Sequence, residues 1–107
     1  MNIPTLIADI GGTNARFALA LNDGRVTQTR ILACRDYPDP SAAAQAFLAD
    51  VQPAVQPTHG AFGVASAVSG DHIDLTNHCW SFSTEATRER IGLSQLRVIN
   101  DVEAMTL

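Results

Sequence analysis

The segment Asp9-Ile10-Gly11-Gly12-Thr13-Asn14-Ala15-Arg16 brings together a carboxylate, two residues without side-chain bulk, a hydroxyl, an amide and a guanidinium. That combination suits phosphate. Gly11 and Gly12 let backbone N–H groups approach phosphate oxygens and accept positive φ, and Thr13 and Asn14 can donate further hydrogen bonds. Arg16 can neutralise charge, and Asp9 can hold Mg²⁺ directly or through water. A second reading stays open: a glycine-rich hairpin turn in which Asp9 caps backbone amides and Arg16 is solvated. The segment is neither a GxxxxGK(S/T) loop nor GxGxxG, and the chain has no lysine. The charge that a γ-phosphate needs must therefore come from Arg16, backbone amides, a metal or residues beyond position 107.

Asn100-Asp101 directly follows the apolar Val98-Ile99, so an amide and a carboxylate stand at the carboxyl end of a predicted strand, where open α/β sheets place ligands. Asp101 there can take a proton from a substrate hydroxyl while Asn100 orients the same substrate. N-capping of a following helix is the alternative for Asp101, and the two roles are compatible. The stretch Leu75 to Phe82 gathers amides, hydroxyls and aromatics in one loop. Sugars fit such a surface, because hydroxyls want polar partners while an aromatic face covers C–H groups. The alternative puts Trp80 and Phe82 in the core. His72, Asp74 and His78 are weak metal candidates, since further ligands are missing. Cys34 and Cys79, without a CxxC, read as reduced packing residues.

These residues need a frame. Thr5 to Ile10 reads as a strand running into Gly11-Gly12, and Ala15 to Leu21 alternates as a second strand. Asn22-Asp23-Gly24 turns the chain into a third strand over Val26 to Ala33. Asp39 offers an N-cap with Pro40 at the first helical position, Ala44, Phe47, Leu48 and Val51 share one helical face, and Pro53 ends that helix. His59 to Ser66 reads as a strand buried on both faces and parallel to the first. Ser69-Gly70-Asp71 is a turn. Ser83 or Thr84 caps a second short helix closed by Gly92, and Leu96 to Ile99 is the last strand. The order β-β-β-α-β-α-β is that of a ribonuclease-H-like mixed α/β sheet.

With 107 residues, 46% hydrophobic and 17% charged, the chain suits one small globular domain and excludes disordered and fibrous classes. The net charge is -4, and the seven basic residues are arginines scattered along the chain. Without a basic stripe, nucleic acid is not an expected partner. No apolar run approaches the roughly 20 residues of a membrane span, and Met1 to Pro4 lack the charged start of a signal peptide, so a cytoplasmic protein is expected. Asp101 to Leu107 begins a helical pattern without a stop signal, which makes the chain an expected N-terminal part of a longer protein, cut within a helix starting near 101. A frayed terminus is the alternative.

Three segments together resemble the bacterial glucokinase family. Asp9 to Leu19 is similar to its first phosphate motif, Asp74 to Trp80 to its sugar-side loop, and Val98 to Asp101 to its catalytic strand end. The similarity covers essentially the whole chain. It implies an actin-like ATPase fold and transfer of the ATP γ-phosphoryl group, with Mg²⁺, to the 6-hydroxyl of glucose, the first step of glycolysis. By the same resemblance Asp101 is the general base, and Asn100, Thr76 and Asn77 bind glucose beside it. Gly11, Gly12, Thr13, Asn14 and Arg16 would hold the ATP phosphates, with Asp9 at the metal. Residues 1–107 would then be the small N-terminal domain of a two-domain sugar kinase, inactive alone, with a homodimer expected at full length. Ala67 departs from the proline that family members often carry there.

An actin-like ATPase and a non-catalytic sugar-sensing module share the fold. The Asn100-Asp101 pair and the Thr76 to Trp80 loop weigh against the first. Against the second, only Met1 to Pro4 precede the first strand, where the usual DNA-binding helix-turn-helix would have to lie.

Overall fold

A computed structural model describes residues 3–64, 70–74 and 80–100. In chain order these form β1 (Thr5–Ile10), β2 (Asn14–Ala20), β3 (Val26–Ala33), a 3-10 turn (Cys34–Asp36), α1 (Pro40–Val51), β4 (His59–Val64), β5 (His72–Asp74), β6 (Ser81–Ser83), α2 (Thr84–Ile91) and β7 (Gln95–Asn100). Five strands make one sheet in the order β3-β2-β1-β4-β7. The first three are an antiparallel meander, while β4 runs parallel to β1 and β7 parallel to β4. A parallel neighbour needs a crossover, and α1 and α2 lie in the two crossovers. The expected order holds, with two additions: the 3-10 turn and an antiparallel ribbon of β5 and β6.

Alternation decides which side of each strand is buried. Leu6, Ala8 and Ile10 of β1 are buried, whereas Thr5 and Ile7 are half-buried and Asp9 is exposed. The same face carries Phe17 and Phe62, which meet edge to face with ring centroids 5.9 Å apart. Phe47 of α1 stacks on Phe17 at 5.8 Å. In α2, the carbonyl of Arg90 accepts from Gln45 Nε2 at 2.7 Å, and its guanidinium pairs with Asp39 at 3.1 Å, which docks α2 beside α1. Because the helices cover one face, β4 is not buried on both sides as its composition predicts: Gly60, Phe62 and Val64 are buried, and His59 is exposed. Gly60 is a packing requirement, since a Cβ there would lie 2.8 Å from Leu93 Cδ1 and 3.0 Å from Leu96 Cδ1.

Local signals set the helix ends. Asp39 accepts a hydrogen bond from the Ala42 amide at 2.9 Å with Pro40 next to it, as expected. The helix stops at Val51, where Gln52 turns left-handed at φ 46°, just before Pro53. Of the two candidate caps for α2, Ser83 is the one used; it accepts from the Ala86 amide at 3.1 Å. Gly92 closes that helix at φ 89°, a conformation that costs glycine little.

Candidate functional site

The Gly11-Gly12-Thr13 turn is braced from two sides. The Gly11 amide donates to the Asn14 carbonyl at 2.9 Å, and the Cys34 amide donates to the Thr13 carbonyl at 2.9 Å. The Gly11 N–H thus closes the hairpin, and Gly11's part in a phosphate site would be its missing side chain. Neither Gly11 nor Gly12 has a positive φ, which corrects the expectation of left-handed glycines here. A Cβ on Gly12 would meet nothing within 4 Å. The packing around position 12 therefore does not demand glycine there.

Three hollows border the motif, the first of about 590 Å³ and lined by Asp9 and Arg16 with Ile7, Ala18, Val26 and Ile31. Asp9 and Arg16 are cross-strand partners, and both also line a second hollow of about 170 Å³ with Gly11, Asn14 and Ile31. Gly12 and Thr13 line the third, of about 410 Å³, with Asn14, Ala33, Cys34 and Arg35. Asn14 borders the second and the third. Gly12, Thr13, Asn14, Asp9 and Arg16 are all exposed. Reasoning from sequence missed Arg35. The available signal was the meander itself: β3 runs in the direction of β1, so the residues that follow Ala33 return to the end of the sheet where the turn stands.

Asn100 lies at that same end. Ile10 pairs with Val64, and Val64 with Asn100, so two strand spacings, about 10 Å, separate the end of β1 from Asn100. Asn100 is half-buried. Asp101, Thr76 and Asn77, together with Cys79 and His78, lie outside the described residues.

Trp80 and Phe82 resolve to the core reading: they are 1% and 5% exposed. The Trp80 indole N–H donates to the Tyr37 carbonyl at 2.9 Å, so this ring is a structural tie and not a sugar platform. Asp71 anchors the ribbon to α2. Its carboxylate accepts from the Ser83 hydroxyl and from the Glu85 amide, the latter at 2.8 Å. Those two hydrogen bonds, with Ser83 the stronger influence, hold the Asp71 carboxyl below its ordinary range.

Among the described residues no three His, Cys, Asp or Glu groups gather as a metal cage. His72 Nε2 is hydrogen-bonded to the Ser81 hydroxyl at 2.6 Å. Asp9 by itself fits the chemistry of Mg²⁺, which usually takes one or two carboxylates and completes its shell with water and phosphate oxygens. Cys34 is buried and forms no disulfide among the described residues, consistent with a packing role. Among the described residues no helix is long and apolar enough to cross a membrane.

The family model described as Glucokinase matches residues 6–107. The glucokinase of Paramagnetospirillum magneticum is 48% identical over 107 residues, which is 100% of this chain and 33% of that protein. The bifunctional protein glk of Burkholderia orbicola is 45% identical over 104 residues, 97% of this chain and 16% of its own length. A crystal structure of glucokinase from an Antarctic psychrotroph matches with a TM-score of 0.84 at 34% identity, covering 94% of this chain and 33% of that one. A ROK family glucokinase from Streptomyces griseus, solved with glucose and AMPPNP, matches in fold with a TM-score of 0.74 at 23% identity, over 96% of this chain and 35% of its own. The chain therefore spans a third or less of the length of these two sequence relatives.

Proposed function

We propose, starting from the fact that this chain belongs to the glucokinase family, that it forms the small-domain wall of an ATP-dependent kinase that phosphorylates the 6-hydroxyl of glucose. Its fold is that of the actin-like ATPase kinases. One observation carries the proposal: β1 and β7 run parallel with only β4 between them, so their carboxyl ends point the same way. The phosphate turn at one end and Asn100, followed in sequence by Asp101, at the other stand on the scale of a sugar hydroxyl facing a polyphosphate.

In this reading Asp101 accepts the proton of the 6-hydroxyl as the oxygen attacks the γ-phosphorus, and ADP leaves. Asn100, Thr76 and Asn77 hold the sugar. Gly12 and Thr13 let the phosphates come close to the backbone, Asn14 contributes its amide, and Gly11 keeps the turn narrow. Asp9 would hold Mg²⁺ through water, and the ion when bound neutralises charge on the phosphates. Arg16, across the strand pair from Asp9, adds positive charge beside that carboxylate. The adenosine site and the opposing wall of the cleft belong to a second domain outside this chain, and closing that cleft excludes water. The intact protein is proposed to work in the cytoplasm, at the entry of glucose into glycolysis, and as a homodimer.

A coupled assay of the intact protein with ATP, Mg²⁺ and glucose tests the reading. Asp101→Asn should lower kcat about 10²- to 10⁴-fold with a smaller change in KM for glucose. Turnover within about threefold of wild type would remove Asp101 as the base. The 107-residue chain alone should release no glucose-dependent ADP, because one wall cannot hold hydroxyl, phosphate and metal in line. ATP hydrolysis indifferent to glucose would replace this reading with that of an actin-like ATPase.

A further inference from the structure

Seven arginines carry all the basic side-chain charge of a chain that has no lysine. Four of them are committed: Arg25, Arg30, Arg88 and Arg90 pair with Asp23, Asp50, Glu85 and Asp39. Arg35 forms no ion pair among the described residues. It is exposed, and it lines the 410 Å³ hollow that Gly12, Thr13 and Asn14 also border. Arg16 borders the separate hollow beside Asp9, so the hollow at Gly12 and Thr13 has Arg35 as its one lining cation among the described residues.

We infer that Arg35 binds the phosphate chain of the nucleotide, supplying the positive charge that faces the Gly12-Thr13 turn. The inference rests on reading that turn as the ATP phosphate site. Several features support it together. The planar fork of a guanidinium matches two oxygens of a phosphate group, and such charge-assisted pairs are among the stronger hydrogen bonds. The backbone of Arg35 is tied to the turn, because the neighbouring Cys34 is 1% exposed and its amide donates to the Thr13 carbonyl at 2.9 Å. The Tyr37 amide then closes the 3-10 turn on the Cys34 carbonyl at 3.2 Å. The side chain thus extends from a fixed base, which lowers the cost of ordering it on a ligand. Asp36, next in sequence, does not line the hollow.

Steady-state kinetics of the intact protein provide the first test. Arg35→Ala should raise KM for ATP about five- to thirty-fold, with KM for glucose within about twofold of wild type. Arg35→Lys restores the charge without the fork and should fall between the two. Arg97→Ala, an exposed arginine that borders neither hollow, should leave KM for ATP unchanged. Calorimetric titration with inorganic triphosphate reads the hollow whatever the acceptor substrate is, and Arg35→Ala should weaken it by about fivefold or more. Unchanged triphosphate affinity in a folded Arg35→Ala protein, or no triphosphate binding by the wild type, would overturn the inference. Arg35-dependent triphosphate binding in a protein that phosphorylates no glucose would uphold the anion site and overturn the glucokinase reading instead.

Discussion

One step along the strands separates two sheet faces with different contents. On the helix-bearing face the paired rows are Leu19-Leu6-Gly60-Leu96 and Phe17-Ala8-Phe62-Val98. On the other they are Arg16-Asp9-Gly63-Ile99 and Ala18-Ile7-Ala61-Arg97. The first face holds the closely packed phenylalanine group with Phe47, whereas the second leaves Ile31 61% and Ile99 40% exposed beside Asp9 and Arg16. A period of two lets one strand serve both purposes, because neighbouring side chains never share a face. Stability is concentrated on one side and at the helix caps, and the residues suited to phosphate chemistry stand on the other side and at the turn. Substitutions should segregate accordingly.

The largest effect on folding belongs to the aromatic cluster. Phe62→Ala removes a fully buried ring in edge contact with Phe17 and should lower unfolding free energy by about 3–5 kcal/mol in a denaturant titration. A loss below about 1 kcal/mol would show that this face does not carry the core. Gly60→Ala comes next, at about 1–3 kcal/mol, because the added methyl overlaps Leu93 and Leu96. Asp39→Ala should cost about 1 kcal/mol at neutral pH through the lost N-cap.

That cap also has a pH signature. Partial burial pushes the Asp39 carboxyl up, but the Ser41 hydroxyl, the Ala42 amide and the Arg90 charge together outweigh it and hold the group below its ordinary 3.8. A carboxyl with a lowered folded value stabilises the fold above its unfolded value and loses that contribution as pH falls through the folded one. The gap between wild type and Asp39→Ala should therefore be full near neutrality and shrink in acid. A gap independent of pH would assign the effect to packing.

Gly12→Ala should show the smallest change in stability, within about 0.5 kcal/mol, since its Cβ meets nothing and its φ is ordinary. The same variant should raise KM for ATP. A destabilised Gly12→Ala protein with normal ATP kinetics would make Gly12 a folding residue and break the proposed division between the two sides.

Legibility followed the range of the signal. Strand β1 and its hairpin with β2 were readable because alternation and two glycines act over a few residues, and α1 because Asp39-Pro40 is both a cap and a first-turn signal. The ribbon of β5 and β6 was absent from the expected order because strands of three residues are too short to establish a period. Gln28 was equally hidden. It takes a left-handed φ of 61° where the register of β2 against β3 shifts, a bulge that no glycine announces.

Taken alone, the sequence determined the order of the main strands and helices, the Asp39 cap of α1, and the presence of a phosphate-suited cluster between Asp9 and Arg16. Those depend on neighbours within a turn of helix or a hairpin. Tertiary structure decided whether Trp80 faces a ligand or the core, because its hydrogen-bond partner is a carbonyl 43 residues away at Tyr37. It also decided that Gly12 and Thr13 share a hollow with Arg35 while Arg16 borders another. Such pairings follow from strand direction and register, which no local propensity carries, since each requires distant segments to be hydrogen-bonded side by side.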